Sequence, residues 1–263
     1  MADGVSSAPT GSFSAGVTAG LGDSAMFANL VRTRRSVRDF LPDAIAPELL
    51  DAVLADANAS PSWSNTQPYR LAIASGEIKD KLKTELCARF DVAMKAQRGG
   101  WPGKLKLLAT RYGLPDGDFK VNFEYPQELQ AARRATGHGL YKLLAIARDD
   151  HAAREQQMRK NFEFFSAPTA IFIFVHEGLH EYSVLDAGIY LQTLMLSAHA
   201  NGLATCAQGA LATWGGPVHA AFDVPAHYKL ICGLSLGYAS TAAVNQFNPG
   251  RRLAAASVLP LKT

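Results

Sequence analysis

The chain has 263 residues, with 26 basic and 23 acidic side chains for a formal net charge of +3, and it is 48% hydrophobic, 19% charged and 9% aromatic. This ordinary globular composition excludes wholesale disorder, a collagen-like chain and a disulfide scaffold, and the length suits one large domain or two small ones. An excess of three charges is too small to argue for a nucleic-acid binder.

Residues 1–23 are rich in Ala, Gly, Ser and Thr and read as a flexible arm. They lack the basic start and apolar core of a secretory signal. The longest strong apolar run, Thr169 to Val175, is of strand length, far short of the roughly 18 residues of a membrane span. Cys87, Cys206 and Cys232 form no C-x-x-C pair. An odd, sparse set of this kind points to a reducing cytoplasm, in which the Asn58-Ala59-Ser60 sequon has no use.

From Ser24 the sequence becomes patterned. Met26, Phe27, Leu30 and Val31 keep a helical period. Pro47 opens a second helix with the apolar stripe Leu49, Leu50, Val53 and Leu54, which ends near Ala59 before Ser60-Pro61-Ser62. A short strand is expected over Tyr69 to Ala74 and a long helix from Glu77 to about Gln97. Gly99 to Phe123, rich in Gly, Pro and Lys, reads as an insertion or a mobile excursion over the surface, with room for short helices. Pro126–Ala147 and Ala152–Phe165 read as helices, and Thr169–Val175 as a buried strand. Tyr182–Ala200 is apolar around most of its circumference and is expected to be buried nearly all round. Tyr228–Tyr238 is the last strong strand. Helices outnumber strands without regular alternation, which favours an α+β fold.

Two motif matches point elsewhere. His176-Glu177-Gly178-Leu179-His180 fits H-E-x-x-H, but zinc binding needs both imidazoles on one helix face. Here the motif follows a strand and holds a glycine, so a polar strand-to-loop junction is the expectation, with no metal. Gly233-Leu234-Ser235-Leu236-Gly237 fits the nucleophile elbow G-x-S-x-G, yet residues 236–263 hold no Asp, Glu or His to complete a triad. A strand whose glycines permit close packing is expected instead.

Four polar clusters remain. Arg34-Arg35-Ser36-Val37-Arg38 offers guanidinium forks and a hydroxyl suited to phosphate, or else a solvated basic turn. Ser60-Pro61-Ser62-Trp63-Ser64-Asn65-Thr66-Gln67-Pro68-Tyr69 is a stiffened loop able to hydrogen-bond and stack on a polar heterocycle, or an ordinary connection. Gly202 to Ala210, with Gln208 and Gly209, is a small-residue turn joining the apolar helix to what reads as another helix, and it lets a planar ligand approach the backbone. Asn248-Pro249-Gly250-Arg251-Arg252 is a second phosphate-capable pair or a solvated tail.

In this order, R-R-S-x-R, S-P-S-x-x-N-x-Q-P-aromatic, the late Gly-rich turn and the arginine-bearing tail resemble the nitroreductase family of flavoenzymes, from about Phe27 to the end. The resemblance implies an intertwined α+β homodimer, 24–263 forming one domain whose tail embraces the partner, with FMN at each subunit interface. Arg34, Arg35 and Ser36 would hold its phosphate and ribityl chain, and Arg38 would sit near N1 and O2. Pro61, Ser62, Trp63 and Asn65 would reach the flavin bound mainly by the other subunit. Gln208 and Gly209 would fall on the turn whose amide faces N5, and Arg252 would return to the phosphate. Where the family often has Lys-x-Arg after a proline, this tail has Gly250, so either Arg251 substitutes or one phosphate contact is absent.

The implied activity is ping-pong transfer from NADPH or NADH to nitroaromatics or quinones, with no protein residue as general acid. Arg38 would give electrostatic support to the reduced ring. Trp63, Phe123 and Tyr125 are candidates to line the site or simply to pack. The rivals are a same-fold enzyme of reductive dehalogenation or flavin fragmentation and, more remotely, a non-enzymatic nucleic-acid binder. No nucleic acid and no membrane are expected as partners.

Overall fold

A computed structural model describes residues 21–119, 125–251, 253–259 and 261. The chain divides into two compact units, one reaching Thr33 and one starting at Arg34. The first contributes helix α1 (Leu21–Thr33), so Leu21 to Asp23, expected in the arm, form its first turn.

The second unit is built on four strands. These are β1 (Tyr69–Ser75), β2 (Thr169–His176), β3 (Ala204–Gln208) and β4 (Tyr228–Gly237), ordered β1-β2-β4-β3 with every neighbour antiparallel. Around them lie α2 (Pro47–Asn58), α3 (Gly76–Arg98), α4 (Gly100–Thr110), α5 (Gln127–Leu143), α6 (His151–Arg159), α7 (Glu181–Ala200) and α8 (Gly216–Ala221). This is the expected α+β arrangement. Among the described residues no helix is long and apolar enough to cross a membrane.

The sheet is covered on both faces, and β2 shows why. Its two-residue period sends Ala170, Phe172 and Phe174 into one core and Ile171, Ile173 and Val175 into another. The first core holds Leu86 and Phe90 of α3 with Phe162, Phe164 and Trp214. The second holds Val53 and Ala57 of α2 with Tyr190 and Leu194 of α7. A bulge in β4, opposite Ile173 and Phe174, switches the side-chain alternation. Leu230 therefore serves the first core, and Leu234 and Leu236 the second. Gly233 and Gly237 are the close-packing glycines foreseen for this strand. A Cβ on Gly233 would lie 2.4 Å from Leu211 Cδ1, and one on Gly237 2.5 Å from Pro168 Cδ.

The structure corrects three expectations. The small-residue segment after α7 is no turn between helices: Ala204–Gln208 pairs with β4 along its whole length. Tertiary pairing overrides its weak strand propensity. The helix expected to reach Phe165 stops at Arg159, and Phe164, Phe165 and Ser166 then take φ of 54°, 52° and 68°. Burial of both phenylalanines offsets this left-handed strain. The 99–123 excursion holds one of the short helices foreseen for it, α4, of 11 residues. Finally, α7 is not buried all round, because Tyr182, Val184 and Leu185 are exposed, Leu185 at 57%.

Candidate flavin site

The segment 34–41 runs beside the outer edge of β3. Ser36 bridges to Thr205, Val37 N–H donates to Thr205 O (3.0 Å), and Leu41 N–H to Tyr238 O (2.9 Å). An edge that would otherwise expose unpaired amides is thereby covered, and the arginine cluster is brought against β3 and the C-terminal end of α7.

Arg34 is half-buried. Burial pushes its guanidinium below the ordinary arginine range and the like charge of Arg251 adds to the shift, while Cys206 opposes it. Arg251, more than 200 residues away in sequence, therefore lies within electrostatic range of Arg34. His199, on the last turn of α7, is held below its ordinary value by burial, then by Arg34 and Arg35. Burial pushes the Cys206 thiol up to about 11, with Arg38 and Arg34 opposing, so it is a packed thiol and no nucleophile.

Arg38 is fixed at both ends. Its backbone N–H donates to Asn245 Oδ1 (2.8 Å), and its guanidinium donates to Ser36 O (3.2 Å) and lies 5.9 Å from the Phe247 ring centroid. Asn245 is buried and donates in turn to Asp39 O (2.7 Å) and Ser240 O (3.1 Å). Nothing in the sequence marks Asn245 or His199, because their roles arise only where distant segments meet.

Gln208 ends β3 with its side chain turned inward, donating to Asn161 O (2.9 Å) and accepting from Ser235 Oγ. Only its backbone is left to face a ligand. Gly209 follows at the start of a 3-10 turn (Gly209–Ala212), and open space surrounds its Cβ position. From Thr205 to Gly209 is four residues of extended chain, about 13 Å. A cationic end and an open backbone end therefore lie along one strand edge.

The Ser60–Tyr69 loop lies elsewhere. Ser60 Oγ donates to Thr193 Oγ1 (2.8 Å), Trp63 N–H to Asp186 Oδ2 (3.0 Å) and Gln67 N–H to Ser62 Oγ (3.0 Å). Ser64, Asn65 and Gln67 sit at φ of 48°, 55° and 47°, a strained conformation held by these bonds. Trp63 is 51% exposed and stands edge-on to Tyr182, with ring centroids 4.0 Å apart. Asp186 and His199 are thirteen residues apart on α7, about 20 Å. Along α7 the Trp63 anchor thus lies well away from the His199 end on which Arg34 and Arg35 act. Tyr125 packs against Arg133, 4.8 Å from ring centroid to guanidinium carbon. Arg252 and Phe123 lie outside the described residues.

The H-E-x-x-H segment is the expected strand-to-loop junction, and the G-x-S-x-G segment the expected strand. His176 ends β2 and accepts from Gly178 N–H through Nδ1 (3.0 Å), and Glu177 pairs with His227 (3.0 Å). Among the described residues no group of His, Cys, Asp or Glu could hold a metal ion. Ser235 is fully buried within β4.

The Nitroreductase family profile matches residues 31–238. The chain belongs to the nitroreductase family. A 4-nitrobenzoate reductase of Pseudomonas putida is 31% identical over 87% of this chain and 92% of its own length. Nitroreductase NfnB of Mycolicibacterium smegmatis is 34% identical over 82% of this chain and 84% of its own. The crystal structure of FMN-dependent NfnB from Mycobacterium smegmatis in complex with NADPH superposes with a TM-score of 0.77, at 30% identity, covering 91% of this chain and 99% of that one. The family frame therefore spans both polar loops and the sheet.

The donor set suits the FMN of a nitroreductase family member. Among the described residues, the side chains of Arg34, Arg35 and Arg251 make no ion pair or hydrogen bond, and Arg38 reaches only the Ser36 carbonyl. Such cations, Arg34 and Arg38 partly buried and Arg35 and Arg251 exposed, without an acidic partner match a phosphate in charge.

Proposed function

We infer that this chain is an FMN-dependent oxidoreductase that uses NADPH or NADH in alternation with a flat nitroaromatic or quinone acceptor. The observation that carries this reading is that Arg34–Arg38 is bonded along β3 through Ser36 and Val37 to Thr205, with Arg251 in electrostatic range of Arg34, beside a strand whose far end opens at Gly209. The names of the relatives favour nitroarenes as acceptors. FMN, when bound, supplies the hydride chemistry.

The residues of this chain position and polarise. Arg34, Arg35 and Ser36 hold the phosphate and ribityl chain with Arg251, which takes the place of the missing family lysine. Arg38, locked by Asn245 and Ser36, would offer a bound FMN a fixed positive charge, a preorganised electrostatic support that needs no proton donor. Gly209 has no side chain to obstruct the flavin or a stacked acceptor.

The functional unit we propose is a homodimer. The exposed Tyr182, Val184 and Leu185 on α7 and the exposed tail residues Leu253, Val258, Leu259 and Leu261 form apolar surface that a second copy would cover. In that assembly Pro61, Ser62, Trp63 and Asn65 reach the partner's flavin. The three cysteines are free, in keeping with a cytoplasmic location.

The test is a visible spectrum of the purified protein followed by anaerobic NAD(P)H turnover with a nitroarene and, separately, an iodo-aromatic. Flavin absorbance with nitroarene-dependent NAD(P)H oxidation is expected. Turnover of the iodo-aromatic alone would move the protein to the dehalogenating branch, and absence of FMN uptake would overturn the reading.

A further inference from the structure

A second opening with unbalanced charge lies between α3 and α4, away from the arginine cluster. The two helices form a hairpin about Gly99 and touch where Gly103 meets Ala96. A Cβ on Gly103 would lie 2.6 Å from the Ala96 carbonyl oxygen. Beside this crossing a cleft of about 550 Å³ runs along the helix pair to Thr110 and Tyr112. Val92, Ala96, Pro102, Leu107 and Tyr112 give it apolar walls, and Lys95 and Lys106 stand on its two sides. Tyr112 is a fixed wall: its hydroxyl donates to Glu85 (3.2 Å), and Arg89 lies 5.2 Å from its ring centroid.

The local charge is one-sided. Residues 92–115 carry Lys95, Arg98, Lys104, Lys106 and Arg111 and no acid. Arg98 is paired with Glu155 (3.4 Å). Lys95 and Lys106 make no side-chain hydrogen bond or ion pair among the described residues. Glu85, beyond Tyr112, is already engaged by Arg89 (2.9 Å).

An inorganic anion would leave the apolar walls wet, and a neutral apolar molecule would leave both ammonium groups unused. Apolar walls with a few placed polar groups are the usual make-up of a small-molecule site. We propose that this cleft binds an amphipathic organic carboxylate, its aliphatic chain against Val92, Ala96 and Leu107 and its carboxylate between Lys95 and Lys106.

The test uses the full-length FMN-loaded protein and dodecanoate below its micellar range, followed by calorimetry and by Trp101 fluorescence. One saturable equivalent per chain is expected, without competition against NADPH in turnover. Lys95→Gln with Lys106→Gln should weaken dodecanoate at least tenfold and leave dodecanol binding unchanged. Thr110→Trp, at an exposed position lining the cleft, should abolish both. FMN content and basal turnover should be unaffected by any of these changes. The proposal is overturned by absence of saturable binding, by equal affinity in the double variant, by competition with NADPH, or by binding to anionic vesicles without binding of free dodecanoate.

Discussion

Replacing Arg34 with Ala asks whether the arginine cluster is an anion cradle or a crowded turn. Arg34 is half-buried and depressed by burial and by Arg251, so in the absence of an anion the cluster carries unrelieved like-charge repulsion. A phosphate relieves it and accepts a charge-assisted hydrogen bond at the same time. Such a bond to a partly desolvated group contributes about 1.5–3 kcal/mol, which is roughly 10- to 150-fold in affinity. Arg34→Ala should weaken FMN by that order. Arg251→Ala, at an exposed position, should cost only about 1 kcal/mol or less. The assay is quenching of flavin fluorescence on titration into apoprotein, with riboflavin as control because it has the ring but no phosphate. Riboflavin affinity should be the same in wild type and Arg34→Ala. If Arg34→Ala binds FMN unchanged, or loses riboflavin as strongly as FMN, the phosphate assignment is wrong.

The other predictions are read by simpler measurements. The folded state holds the His199 proton more weakly than the unfolded chain does, because of burial, Arg34 and Arg35. Apoprotein stability should therefore fall as pH drops through and below about 6.5. Arg34→Ala removes one of the causes and should raise the His199 titration midpoint by NMR and flatten that fall; an unmoved midpoint would refute it. Gly117→Ala places a Cβ 2.0 Å from the Ala212 carbonyl oxygen and should destabilise by about 2–4 kcal/mol in urea unfolding. Tyr69 Oη is buried with no hydrogen-bond partner among the described residues. Tyr69→Phe should therefore be neutral or stabilising by up to about 1 kcal/mol, and a loss larger than that would reveal a missed partner.

The parts of this fold that were legible in the sequence are those whose burial follows from local period. The apolar run of β2 and the stripe on α2 need nothing distant to be recognised. Ala204–Gln208 is a strand only because β4 offers a ladder, and five small residues announce no such partner. The left-handed run Phe164–Ser166 was illegible for the opposite reason, since local preference opposes it and only the two buried rings hold it. In the site, residue type revealed the arginines, but the meeting of Arg34 with Arg251 depends on the path of the whole chain. Gln208 closes β3, and its side chain serves Ser235 and Asn161. A sequence cannot distinguish an amide facing a ligand from one facing the core.

The separation of the two polar loops along α7 gives the assembly a decisive test. Helix α7 is a stiff spacer: Trp63 is tied to Asp186 near its start, and Arg34 and Arg35 act on His199 near its end, about 20 Å away. That spacing is held by the second core, where Tyr190 and Leu194 are fully buried. We propose that the two loops serving one flavin come from different copies. Let one variant carry Arg34→Ala with Arg35→Ala, and another Trp63→Ala with Asn65→Ala. Each alone should be poorly active, because every site in its homodimer has one damaged half. After unfolding and refolding the two together, half the dimers are mixed. In a mixed dimer the intact arginines of one chain face the intact loop of the other, while both damaged halves meet at the second site. About one site in four should then be whole, and nitroarene turnover should recover to that level. If each loop instead served the arginines of its own chain, mixing would assemble no intact site and activity would not rise above that of the separate variants.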